Sequence, residues 1–216
     1  MPRQFLRDGF SFAAYVEWLL DVPMYFVTRG GRMIDVAGSS FRAWLDGRCP
    51  PGLEGQRPTI GDFEDHLTTA FPDVRLKQFL EMRGADAGSP AMMLAQSALW
   101  TGLLYDEATL HAAEELVLEH DLDDYIALRA EVPRAGLDAP WGQGNLRPLA
   151  ARMIALATDG LRARARRDAQ GRDETHHLAP LHEIAAGGPT QAESWLAAYH
   201  GRWQGDVTHI FTEAAV

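Results

Sequence analysis

The densest chemistry in the sequence lies between Val74 and Arg83. Its charged residues, Arg75, Lys77, Glu81 and Arg83, all fall on alternate positions. In an extended strand alternate side chains point the same way, so these residues share one face, with Phe79 among them. Val74, Leu76, Gln78, Leu80 and Met82 take the other face. A solvent-facing strand explains the pattern without any function. A strand lining a concave sheet gives it one. Guanidinium and ammonium groups hold carboxylates and phosphates, arginine often by a two-pronged contact. A carboxylate two positions from an arginine offers oxygen to a hard divalent cation. That mixture suits phosphoryl transfer, in which cations offset the charge that develops.

Other candidates are weaker. Thr68 and Thr69, with His66, directly precede this stretch. Their hydroxyls could bond a substrate or merely satisfy a turn. Tyr25 lies in a β-prone run, where it could wall an amino-acid pocket or fill a core. Trp100 sits in an apolar helical run, where core packing competes with a place beside substrate. His176, His177 and His182 lack the cysteine or acid spacing of a zinc site. The arginines of residues 162–167 end a helix, as the helix dipole favours.

The elements that must position these residues can be read from punctuation and periodicity. Phe10–Leu20 is an amphipathic helix stopped by Pro23. Met24–Val27 and Met33–Val36 form a hairpin across Arg29-Gly30-Gly31-Arg32. A short helix follows a cap at Ser39 or Ser40, then a Pro/Gly-rich loop, then a helix from Ile60. Val74–Arg83 reads as one strand. Beyond Pro90 the chain is helical. Residues 91–104 are apolar nearly all round and should be buried. Helices follow from Asp106 or Thr109 to about His120, from Asp121 to a stop at Pro133, over Leu146–Arg167, over Leu178–Ala186 and over Thr190–Gly201. The last opens with a capping-box pattern, Thr190-Gln191-Ala192-Glu193. The expected organisation is a sheet-bearing region, 1–90, and a helical region, 91–216, within one domain.

Composition narrows the classes. The chain has 216 residues, 46% of them hydrophobic, enough for a core. A net charge of −10 argues against nucleic-acid binding. No apolar run approaches the roughly 18 residues that span a bilayer. The single cysteine, Cys49, excludes an internal disulfide and fits a reducing compartment. With no signal-peptide core at residues 1–8, a soluble cytoplasmic protein is expected.

Asp65-His66-Leu67-Thr68-Thr69-Ala70-Phe71-Pro72-Asp73-Val74-Arg75-Leu76-Lys77 and Glu81-Met82-Arg83-Gly84-Ala85-Asp86 resemble the signature of plant and α-proteobacterial glutamate–cysteine ligases. So do Asp21-Val22-Pro23-Met24-Tyr25-Phe26-Val27, Gly38-Ser39-Ser40-Phe41-Arg42, Trp100-Thr101-Gly102-Leu103-Leu104-Tyr105-Asp106 and Val132-Pro133-Arg134-Ala135-Gly136-Leu137. The resemblance runs in order from about Asp8 to the end. It implies ATP- and Mg2+-dependent joining of the glutamate γ-carboxylate to cysteine, the first step of glutathione synthesis. It implies an α+β fold: part of a glutamine-synthetase-like antiparallel sheet funnel, followed by helices. By resemblance Glu81 is a metal ligand, and Arg83 holds glutamate or its phosphate. Arg75 and Lys77 are nucleotide-binding candidates, and Tyr25, Thr68, Thr69 and Trp100 are substrate-binding ones. Around Trp100 the family has Pro-Ala-Phe-Trp where this chain has Ser97-Ala98-Leu99-Trp100, which leaves open a related glutamate–amine ligase. Family members are roughly twice as long, so this sequence corresponds to a carboxyl-terminal half whose expected partner is an amino-terminal half. An inactive remnant or interaction module of the same fold is the alternative.

Overall fold

The computed structural model describes residues 3–6, 9–76 and 78–214. The chain divides into two compact units at Gly84/Ala85.

In the first unit the Ser11 hydroxyl caps α1 (Phe12–Asp21) by accepting the Ala14 N–H. Strands β1 (Phe26–Arg29) and β2 (Arg32–Asp35) pair antiparallel, Phe26 opposite Asp35 and Arg29 opposite Arg32. Gly30 and Gly31 make the turn at φ +55° and +74°, the left-handed pair that matches hairpin twist. Ser40 caps α2 (Phe41–Leu45), and a Thr59/Asp62 capping box opens α3 (Ile60–Thr69). Met24, Val27, Val36, Phe41, Trp44 and Leu53 form the core.

Residues 74–83 are not one strand. They fold into a hairpin of β3 (Val74–Leu76) and β4 (Leu80–Met82), with Arg75 opposite Glu81. Folding back gives each strand a partner for backbone groups that a lone strand would leave open. The Arg83 N–H extends the ladder to Asp73 O at 2.7 Å.

The second unit is helical: α4 (Pro90–Leu104), α5 (Glu107–Leu118), α6 (Leu122–Ala135), α7 (Arg147–Arg164), α8 (Ala179–Ala185), α9 (Gln191–His200) and the short α10 (Ile210–Glu213). A hairpin of two-residue strands, β5 (Pro140–Trp141) with β6 (Gly144–Asn145), lies between α6 and α7. Helices α4 and α7 cross on glycines. A Cβ on Gly102 would sit 2.1 Å from Ala157 O, and one on Gly160 would sit 2.0 Å from Gly102 O. Two expectations fall here. Helix α4 is not buried all round, because Met93 and Leu94 are each 52% exposed and the buried positions are Ala95, Ala98, Gly102 and Leu103. Helix α6 runs through Pro133, which removes one N–H close to the helix end, and stops at Gly136, φ +53°. The α+β class with few antiparallel strands and a helical second part is as expected. No described helix is long and apolar enough to cross a membrane.

Candidate active site

The β3–β4 hairpin gathers three charges on one face. Arg75 Nε donates to Glu81 Oε2 at 2.7 Å, and Arg83 Nη1 donates to Glu81 Oε1 at 3.2 Å. Two guanidiniums around one carboxylate leave a net positive charge, a setting for an anion. The two differ in access. Arg75 is the more buried, its side chain 14% exposed, and its Nη1 also reaches Thr68 O at 3.4 Å. Arg83 is 27% exposed and stands 5.3 Å over the ring of Phe71.

Phe71 leads from this cluster into a cleft of about 450 Å³. One wall comes from the end of α1 and the residues after it, Trp18, Val22, Pro23, Met24 and Tyr25. The other comes from the end of α3, Thr69 through Pro72. The walls are apolar, so the cleft suits an uncharged group, and the Arg83 guanidinium stands beside its Phe71 wall.

Tyr25 belongs to the wall and is 53% exposed, which excludes the core reading. Thr69 lines the cleft, but its hydroxyl donates to His66 O at 2.8 Å. The Thr68 hydroxyl donates to Asp65 O at 2.7 Å. Both threonines therefore satisfy helix carbonyls. Trp100 is half-buried against the core of the second unit, beside Ala98 and Leu103. Lys77 lies outside the described residues.

Two contributors escaped the sequence reading: Trp18 and Phe71 line the cleft. At the opposite end of α3 from the cleft, the buried Asp62 binds Arg29 through both oxygens, one at 2.8 Å from Nη2. Burial pushes the Asp62 carboxyl up, but bonds from Arg29 and Thr59 outweigh it and hold the group below the usual range. Its signal was the Thr59-x-x-Asp62 spacing of a capping box. Burial likewise raises Tyr15, a rise that the nearby Arg75 opposes.

The residues present do not by themselves fit the magnesium ion implied by the resemblance. Glu81 is one oxygen donor with both oxygens facing guanidiniums, and Mg2+ takes six ligands. Among the described residues no three acidic, histidine or cysteine side chains gather.

Fold and cleft thus define an α+β protein suited to a small anionic molecule with an apolar or uncharged end. The model of glutamate-cysteine ligase family 2 matches residues 1–213, and the chain belongs to that family. It is 42% identical over 206 residues to the chloroplastic glutamate–cysteine ligases of Solanum lycopersicum, Nicotiana tabacum and Arabidopsis thaliana. Each match covers 95% of this chain and 38% of the relative, so the chain spans about two fifths of their length. These relatives are chloroplastic, which overturns the expectation of a cytoplasmic protein. A lone cysteine speaks of redox conditions and cannot name a compartment.

Proposed function

We propose that this chain carries the amino-acid end of an ATP-dependent glutamate–cysteine ligation. ATP phosphorylates the glutamate γ-carboxylate. The cysteine amine attacks that acyl carbon, a C–N bond forms and the C–O bond to phosphate breaks. The amine loses a proton, leaving γ-glutamylcysteine, ADP and phosphate. The observation that carries the reading is the place of Arg83, between Glu81 and the Phe71 wall of the cleft. Its guanidinium can hold the glutamate carboxylate or the acyl phosphate, with Arg75 fixing Glu81 from the opposite strand. Tyr25 and Phe71 would flank the cysteine side chain. Magnesium, when bound, would neutralise phosphate charge; Glu81 is the donor that the resemblance names, and no step is assigned through the ion. The further partner is the amino-terminal half of the ligase, supported by the greater length of the relatives.

The test is ATP-dependent γ-glutamylcysteine formation by the chain alone and mixed with the amino-terminal half of the Solanum lycopersicum relative. Activity is expected in the mixture and should fall about a hundredfold in Arg83→Ala, as when a charge-stabilising donor is removed. Undiminished turnover in Arg83→Ala and Glu81→Gln mixtures would sink the assignment.

A further inference from the structure

Among the described residues one side-chain hydrogen bond joins α1 to α3, the helices whose ends carry the two walls of the cleft, and we propose that His66 is the positioning residue that sets the cleft's width. The imidazole is 4% exposed, and its Nε2 lies 2.9 Å from Leu19 O. A carbonyl only accepts, so Nε2 carries the proton and the tautomer is fixed.

Both ends of this bond sit at a wall. Leu19 follows Trp18 in the last turn of α1, and its carbonyl also takes the Val22 N–H at 3.0 Å where the helix ends. Trp18 and Val22 both line the cleft. His66 lies one turn before Thr69, the first residue of the opposite wall, whose hydroxyl is 3.4 Å from Nδ1. Among the described residues no other hydrogen bond joins α1 to α3. Phe41 stacks on the ring at 5.3 Å and 13°, which fixes its plane and aims Nε2 at α1. Losing the bond removes the described hydrogen bond between α1 and α3 and leaves the Arg75–Glu81–Arg83 ion pairs in place.

What binds in the cleft rests on the ligase reading; the positioning role does not. The test therefore has two measurements on the full chain. The first is the distance distribution between spin labels at Val16→Cys on α1 and Glu64→Cys on α3, in a Cys49→Ala background. The wild-type His66 background should give a narrow distribution, His66→Phe a broad one, and His66→Gln a narrow one again, because its amide N–H can reach the same carbonyl. The second is titration with L-cysteine, followed at the Tyr25 and Ala70 amides by NMR. His66→Phe should weaken it about two- to tenfold, the range of one hydrogen bond, and His66→Gln should restore it. A narrow distribution in His66→Phe overturns the proposal. So does a broad one in His66→Gln, since the imidazole would then act by shape. Should His66→Phe not fold, the 15N shifts of the wild-type ring decide, and an unprotonated Nε2 overturns the proposal. If the distances behave as expected and L-cysteine shifts nothing, the positioning role stands and the cysteine reading of the cleft falls.

Discussion

Asp62 and His66 lie one turn apart on α3 and are both buried, in opposite states of charge. Asp62 stays ionised because Arg29 and the Thr59 cap compensate its burial. His66 stays neutral because burial lowers its affinity for a proton, an effect that the bond to Leu19 only partly offsets. The consequence for stability has a definite sign. Below about pH 6.5 an unfolded histidine takes up a proton that folded His66 refuses, so stability is complete above that pH and falls as pH drops through the lower folded value. The melting temperature should decline between pH 7.5 and 5, and more shallowly in His66→Gln; parallel curves would remove His66 from the account. Asp62→Ala should cost about 2–3 kcal/mol in denaturant unfolding. That is less than the roughly 3–5 of a fully buried pair, because Arg29 is 29% exposed and can regain water. A cost under 1 kcal/mol would mean that the pair is idle. The cap half of this arrangement was legible in the Thr59-x-x-Asp62 spacing. The ion pair was not, since nothing local ties Asp62 to an arginine 33 residues earlier.

The β3–β4 hairpin shows how an element can be misread while its face is read correctly. Period-two alternation over 74–83 looks the same in one strand and in two. The paired residues Val74/Met82, Arg75/Glu81 and Leu76/Leu80 are each an even number apart, so the faces survive the fold-back. Only the distance changes: Arg75 and Glu81 become direct cross-strand neighbours at 2.7 Å. Helix α4 fails for a different reason. Its composition is apolar on every side, and which side is buried depends on where α7 can come close. Gly102 and Gly160 decide that, and neither announces itself in a sequence. Gly102→Ala should therefore lower stability by about 3 kcal/mol, since its Cβ meets the Ala157 backbone and cannot be relieved by a rotamer. Gly144→Ala, where a Cβ meets nothing within 4 Å, is the control and should change little. Equal denaturation midpoints for the two variants would show that the helices slide apart freely.

At the scale of the whole chain the question is which charges the proposed ligation needs and which this polypeptide supplies. Phosphoryl transfer from ATP to a carboxylate brings two anions together. The chain has 20 basic and 30 acidic residues, so its overall field opposes both. Against that field stands the Arg75–Glu81–Arg83 cluster, two cations about one carboxylate, enough to hold a single carboxylate. A divalent ion is another matter. It would need further oxygen donors beside Glu81, and approaching that carboxylate brings it against two guanidiniums. The relatives are more than twice as long, which leaves room for such donors outside these residues. The expectation is that L-glutamate binds the isolated chain weakly, that 5 mM Mg2+ changes its affinity less than twofold, and that Arg83→Ala abolishes it. With the amino-terminal half present, magnesium should tighten binding. A tenfold gain from magnesium on the isolated chain would show that Glu81 and its neighbours hold the ion unaided, and the missing donors would then have to be sought within these 216 residues.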